Sequence, residues 1–214
     1  MSDSVHPMFH DGHRSLQDAF DSRRLADRLV ETMHRTTFTA EDRAFIEAQS
    51  LFFLATSDAD GFPDCSFKGG GPGFVRVTGE TTLVFPSYDG NGMFRSLGNI
   101  VVNPRVGLLF VDFTERRRLR VNGSARLLRD TPLLAAWPGA QLLVEVSALH
   151  IFPNCPRYLP QLAVEETSPY VPVEGVQTPV PEWKRWPVFN EVLPASDPAK
   201  GDDPARPVVA DDSE

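Results

Sequence analysis

Ser66 and Lys68 stand two residues apart in a strand-forming run, and four glycines, Gly69, Gly70, Gly71 and Gly73, follow directly. On a strand, the period of two puts this hydroxyl and this ammonium on one face, a pairing suited to a phosphate. Without side chains in the way, backbone amides of the glycine loop could approach an anion or a flat ring; a flexible hairpin loop is the plainer reading of the same glycines. The phosphate loop of nucleoside triphosphatases is excluded, since no Gly-Lys-Ser/Thr closes the run and a strand follows where that motif needs a helix. A second cluster, Phe85-Pro86-Ser87-Tyr88-Asp89-Gly90-Asn91-Gly92, leads into a short helix whose entrance could offer free amides to a phosphate, with Arg95 or Ser96 nearby. A third holds Arg116, Arg117, Arg118 and Arg120 in an otherwise acidic chain. Arg118 and Arg120 share a strand face, as a cofactor phosphate or a partner subunit would require; an exposed cationic turn would look the same.

These groups need a scaffold, and the pattern supplies one. Leu16, Ala19, Phe20, Leu25, Ala26, Leu29 and Met33 recur at helical spacing and predict one amphipathic helix from Leu16 to Met33. Thr39-Ala40-Glu41-Asp42 carries a capping box, so a second short helix should run to about Gln49 and place Phe45 and Ile46 against the mouth of a barrel. Leu51 to Thr56 reads as a buried strand, Asp58 to Gly61 as a tight turn, and Pro63 to Lys68 as its hairpin partner. Further strands are expected at Phe74 to Val77, Thr81 to Phe85 and Val106 to Val111, through Arg118 and Arg120, and at Gln141 to Phe152. A helix from Met93 to Val102 should stop at Asn103-Pro104, and another short one is expected at Pro132 to Trp137. His150 reads as a packed or hydrogen-bonded histidine, because no catalytic partner for it is evident. His6, His10 and His13 lie in a polar N-terminal arm without a carboxylate or thiol at ligand spacing.

With 214 residues, 41% of them apolar, one folded domain with appendages is the simplest organisation. The expected divisions are an arm and helix over 1–38, a barrel domain over 39–163, a Pro-rich arm over 164–194 anchored by Trp183 and Trp186, and a disordered tail over 195–214. A net charge of -8 argues against general nucleic-acid binding. The two cysteines, Cys65 and Cys155, are far apart and not at metal spacing, as for reduced thiols in a cytoplasm. No apolar run is long enough for a membrane helix, and the polar start is no signal peptide.

Short antiparallel strands, hairpin turns and one small crossing helix suggest a closed barrel. Five segments, read together and in order, then resemble a known family. They are Leu-Ala-Thr-Ser-x-x-x-Gly-x-Pro at Leu54 to Pro63, Lys-Gly-Gly-x-Pro-Gly-Phe at Lys68 to Phe74, Phe-Pro-x-Tyr-x-Gly-Asn at Phe85 to Asn91, Asn-Pro-x-Val-Gly-Leu-Leu-Phe at Asn103 to Phe110, and Leu-Arg-Val-Asn-Gly-x-Ala at Leu119 to Ala125. From about Phe45 to Tyr158 the chain resembles the pyridoxamine 5'-phosphate oxidase-like group of FMN-binding split-barrel proteins. The resemblance implies a mainly β fold with peripheral helices, a six-stranded antiparallel split barrel, and a homodimer with FMN at the subunit interface.

Residue by residue, the resemblance places Ser66, Lys68 and Gly69 on the strand that contacts the FMN phosphate and ribityl chain. Phe85, Pro86, Ser87 and Tyr88 take the strand end along the isoalloxazine ring. Asn91 and Gly92 stand where the oxidase has a basic segment on the phosphate, so charge must come from elsewhere. Arg118 takes the place of a glutamine on the flavin, with Arg120 next on that face, and Cys155, Pro156, Arg157 and Tyr158 resemble a Cys-Pro-Lys/Arg element that reaches the flavin of the other subunit. The Pro-Glu-Trp-Lys stretch ending at Lys184 matches the oxidase's substrate segment only loosely, which sets pyridoxamine phosphate aside as the expected substrate. The activity so implied is oxidation or reduction of a small organic molecule by hydride transfer at FMN, with NAD(P)H a possible donor. Two other readings stay open: a non-catalytic protein that stores or senses FMN, and a barrel that holds some other anion.

Overall fold

A computed structural model describes residues 8–201, so His6 and the part of the expected tail beyond residue 201 lie outside the described residues. The chain divides into two compact units between Thr167 and Ser168. The first unit opens with two helices, α1 (Asp11–Ala19) and α2 (Arg23–Met33), where the apolar periodicity predicts one. The break falls at Asp21, whose φ of 48° lies in the left-handed region that a continuing helix cannot use. Amides at the end of α1 turn back onto Gln17 and Asp18 carbonyls, and Ser22 then starts α2. The two histidines of α1 serve its capping: His10 Nδ1 accepts from the Gly12 amide, and His13 Nδ1 accepts from the His10 amide.

Helix α3 (Ala40–Ala48) follows the capping-box expectation. Thr39 Oγ1 accepts from the Asp42 amide at 3.1 Å, and Asp42 accepts from the Thr39 amide at 3.0 Å. Its inner face buries Phe45 and Ile46.

The sheet comprises β1 (Leu51–Ser57), β2 (Pro63–Gly69), β3 (Arg76–Val77), β4 (Thr82–Ser87), β5 (Arg105–Asp112), β6 (Arg117–Leu128) and β7 (Leu142–Pro153). The spatial order is β2-β1-β5-β6-β7-β4-β3, and every pairing is antiparallel. This corrects two expectations. The residue pattern has all seven strands, one more than the six that the resemblance implies, and the strand expected at Phe74 to Val77 shortens to two residues, Arg76 and Val77, paired with Val84 and Leu83 at the sheet edge. The sheet is also not closed: β2 and β3 end it without pairing to each other, giving a split-barrel-like curve with two short edges. Phe52 is the hub of the enclosed core, meeting Phe85 edge-on at 4.9 Å, Phe110 at 5.2 Å and Phe74 at 5.9 Å between ring centroids.

Between β6 and β7 the register shifts after Asn122, and Gly123 sits where a Cβ would lie 2.1 Å from the Ser147 carbonyl oxygen. Only glycine fits that bulge. Helix α4 (Arg95–Val102) crosses between β4 and β5 and packs on β1, where Asn99 Nδ2 donates to Thr56 Oγ1 at 3.0 Å. His150, buried on β7, is hydrogen-bonded to His34 at 2.8 Å, as expected of a structural histidine.

The second unit, described to Gly201, holds a 3-10 turn (Glu182–Arg185) and a short helix α5 (Pro187–Asn190). Phe189 packs against both Trp183 and Trp186. Lys184 Nζ and Asp197 Oδ2 form a buried ion pair at 2.7 Å. Burial works to raise the Asp197 pKa, yet hydrogen bonds from Lys184 and the Ala199 amide hold it below its ordinary value. Residues 195–201, assigned from composition to the tail, are thus part of a folded turn.

Candidate functional site

The register of the first hairpin decides which way β2 faces. Lys68 pairs with Phe52, Ser66 with Leu54 and Asp64 with Thr56. Directly opposed residues of an antiparallel pair share a face, so all three polar side chains project on the same side as the buried Phe52 and Leu54. The edge position of β2 leaves them half-buried at the rim, where α4 arrives.

At that rim the first turn of α4 meets β2. Ser66 Oγ lies 2.9 Å from Ser96 Oγ, Ser96 Oγ donates to Asp64 Oδ2 at 3.1 Å, and Arg95 Nε donates to Asp64 Oδ1 at 3.3 Å. Ser96 has one hydroxyl proton, which goes to the carboxylate, so Ser66 must donate to Ser96. Lys68 stands on the same face with its pKa below the usual lysine value, because burial disfavours its charge more than Asp64 favours it. The residue that opens α4, Phe94, has a φ of 49° and places no side chain on the first-turn amides. Arg95 and Ser96 thus bond one carboxylate, Asp64, at the start of α4, with Ser66 behind Ser96 and Lys68 on the same face, in the arrangement that an oxyanion would use.

Asp64 was missed by sequence reasoning. Its position at the same period of two as Ser66 and Lys68 was the available signal.

The other expected residues divide. Phe85 and Pro86 are buried, Phe85 in the core against Phe52; Ser87 and Tyr88 are half-buried at the strand end. Burial raises the Tyr88 pKa, with Arg76 opposing. Asn91 and Gly92 are exposed, and Asn91 caps the Met93 amide. The glycine loop is a structural closure: the Gly70 amide donates to the Ser50 carbonyl at 2.9 Å and the Gly73 amide to the Glu47 carbonyl at 2.7 Å. A Cβ on Gly70 would strike the Phe74 ring carbons at 2.5 to 2.7 Å, and Gly69 ends β2 opposite Leu51.

Arg118 and Arg120 do share a face, but not that of Ser66 and Lys68. Leu119 between them and Val121 after them are buried, which turns both arginines to the outside of the sheet. Within one chain the Ser66–Lys68 group and the Arg118–Arg120 group therefore lie on opposite faces. Arg118 Nη2 donates to the Cys155 carbonyl at 2.5 Å, so the Cys155–Pro156 turn sits beside it, while Arg157 and Tyr158 are exposed. Cys65 and Cys155 are exposed thiols, not joined to each other. Arg118 and Pro156 also line a cleft of about 290 Å³ between the start of α3 and the β5–β6 turn. Among the described residues no helix is long and apolar enough to cross a membrane, and no group of three His, Cys, Asp or Glu could hold a metal.

Among solved structures, a putative pyridoxamine 5'-phosphate oxidase from Lactobacillus delbrueckii is 23% identical, over 55% of this chain and 95% of that one, with a TM-score of 0.45. HupZ of Group A Streptococcus is 22% identical over 54% and 93%, with a TM-score of 0.44. An FMN-binding protein from Syntrophomonas wolfei is 12% identical over 66% and 96%, with a TM-score of 0.40. No curated protein matches the sequence. The family model described as pyridoxamine 5'-phosphate oxidase matches residues 38–167, which span α3, all seven strands and α4. With more than half of its length inside that match, the chain belongs to the pyridoxamine 5'-phosphate oxidase family.

Proposed function

We propose that the protein binds FMN and works as an oxidoreductase on a small organic molecule, with the FMN phosphate held at the meeting of β2 and α4. The observation that carries this reading is the set Ser66, Lys68, Arg95 and Ser96 gathered around Asp64. Asp64 fills the place of an anion. A phosphate arriving there would take over the hydrogen bonds of Arg95 and Ser96, add the free amides of the first turn of α4, and restore to Lys68 a counter-charge that offsets its burial. The charge missing at Asn91 and Gly92 is supplied by Arg95, four residues beyond Asn91.

FMN, when bound, supplies hydride chemistry at its N5 atom. The chain's own residues do the positioning. Lys68 and Arg95 fix the phosphate end, while Ser87 and Tyr88, at the end of β4, are the half-buried polar groups available to a ring. Arg120 stands on the outer face, so it reaches a flavin only if that flavin also touches the outside of a sheet. A homodimer with the site at its interface meets that condition. The exposed apolar residues Phe67, Phe94, Val101 and Val102 on β2 and α4, and Leu25 and Leu29 on α2, support such association. The electron donor we propose is NADH or NADPH.

The test is to load the purified chain with excess FMN, desalt it and record the visible spectrum. About one flavin retained per chain, bleached anaerobically by NADH or NADPH, is the expected result. Retention without bleaching by any donor would favour a flavin store or sensor, and no retention would reject the flavin reading.

A further inference from the structure

Two Asn-Gly pairs occur in the chain, Asn91-Gly92 and Asn122-Gly123, and the fold treats them in opposite ways. An asparagine followed by glycine is open to attack on its side-chain amide by the next residue's backbone nitrogen, because glycine has no side chain to shield that nitrogen. What decides the rate is how freely the asparagine can turn about its ψ and χ1 torsions.

Asn122-Gly123 is locked. It lies within β6, with β5 on one side and β7 on the other: Asn122 pairs with Gly107 and His150, and Gly123 with Val106 and Ala148. The Ser147 carbonyl oxygen fills the space where a Gly123 Cβ would stand, so this peptide has no room to rotate.

Asn91-Gly92 is free. It falls between β4 and α4, both residues are exposed, and nothing lies within 4 Å of a Cβ placed on Gly92. Gly92 has a φ of 73°, and its amide donates to no group among the described residues. One hydrogen bond is present, and it favours the reaction: the Met93 amide donates to Asn91 Oδ1 at 3.1 Å. The ring closed by that bond contains both Asn91 Cγ and the Gly92 nitrogen, and its donor faces the oxygen on which negative charge develops during the attack.

We propose that Asn91-Gly92 is a self-modification site: Asn91 deamidates spontaneously, and the carboxylate so formed weakens the hold of the β2–α4 rim on an FMN phosphate. The Gly92 nitrogen gives its proton to water and bonds to Asn91 Cγ; the bond from Cγ to Nδ2 then breaks, and Nδ2 takes up a proton and leaves as ammonia. Water opens the cyclic imide, giving aspartate where the bond to Cγ is cut and isoaspartate where the main-chain carbonyl is cut. One water is consumed, one ammonia is released, and nothing is oxidised or reduced. The product carries a negative charge four residues before Arg95, where it competes with a phosphate for that guanidinium. The deamidation stands without the flavin reading; its effect on FMN rests on that reading.

The experiment ages the full-length chain at mildly alkaline pH, digests it with trypsin and follows the peptides by mass spectrometry, beside an aged Asn91→Ser chain and a sample aged in urea. A gain of one mass unit is expected in the peptide from Val77 to Arg95, roughly tenfold faster than in the peptide from Val121 to Arg126. In urea, where β6 no longer clamps Asn122, the two rates should come within about twofold of each other. The aged parent chain, and fresh Asn91→Asp, should bind FMN about threefold more weakly than the fresh parent, while aged Asn91→Ser loses nothing on ageing. No mass gain in the first peptide, or an equal rate in the second within the folded chain, would overturn the site. A deamidated chain that binds FMN as tightly as the fresh one would overturn the effect on the cofactor. A fresh chain that binds no FMN would be a failure of the flavin reading, and the mass test would then decide the site by itself.

Discussion

The rim where α4 meets β2 and the cleft beside the β5–β6 turn are both cationic places in an acidic protein, but they are finished differently. At the rim Asp64 already engages Arg95 and Ser96, and the hydroxyls of Ser66 and Ser96 are linked. Beside the cleft Arg35 and Arg117 are paired with Asp42 and Glu41 of α3, while the buried Arg118 Nε and Asn154 Oδ1 have no hydrogen-bond partner. A cationic place can therefore be held by a carboxylate that a ligand displaces, or be tied down by ion pairs between elements of the chain. The first keeps its groups placed when empty, at the cost of competition; the second holds α3 to the β5–β6 turn.

The largest effect expected removes the framework of both places together. Gly123→Ala would press a methyl group onto the Ser147 carbonyl at the β6–β7 bulge, and β6 carries Arg118. A loss of roughly 2–3 kcal/mol is expected in urea denaturation; an unchanged midpoint would mean that the bulge relaxes freely. Lys68→Ala acts on the rim alone. It removes one charge-assisted contact worth roughly 1.5–3 kcal/mol, so FMN affinity measured by fluorescence quenching should fall about 10- to 100-fold.

Titrating Lys68 reaches the same rim by pH. Its folded pKa lies below the ordinary 10.5, so on raising the pH the folded chain gives up this proton before the unfolded chain does. Between those two values the unfolded state holds more protons, and this group's contribution to stability rises with pH. FMN affinity should fall over the same alkaline window, as the cation is lost. Lys68→Met should abolish both trends; a pH dependence unchanged in that variant would assign it to another group.

The smallest effect sharpens the contrast between the two modes. Asp64→Asn removes the competing anion and should tighten FMN about threefold, where an essential ligand contact would weaken it. Stability should change little, since Arg95 is 64% exposed and its ion pair is screened by water.

Much of the scaffold was legible because it rests on local rules. The Thr39 capping box, the Asp58–Gly61 turn, the Asn103 stop and the alternation along β6 each depend on neighbours in sequence. The N-terminal helix pair was not legible, because the Leu16 to Met33 stripe keeps its period across Asp21 and periodicity does not register one left-handed residue. The Ser66–Lys68 face could be read from the period of two, but its meeting with Ser96 depends on where α4 lands, which is a tertiary fact. The glycine loop left two readings open for a related reason: Gly70 is required by the Phe74 ring packed against it, and its amide bonds to the Ser50 carbonyl, neither of which the glycines themselves encode. That Arg118 and Ser66 face opposite sides of the sheet follows from the register of strands distant in sequence, which no local pattern encodes.

The most direct test of the β2–α4 rim as a phosphate site compares FMN with riboflavin, which differ by the phosphate alone, on the parent chain and on Lys68→Ala, by flavin fluorescence titration. FMN should bind the parent chain at least tenfold more tightly than riboflavin, and Lys68→Ala should erase most of that preference while leaving riboflavin affinity where it was. Equal affinity for the two flavins in the parent chain, or a preference for FMN that survives in Lys68→Ala, would contradict it.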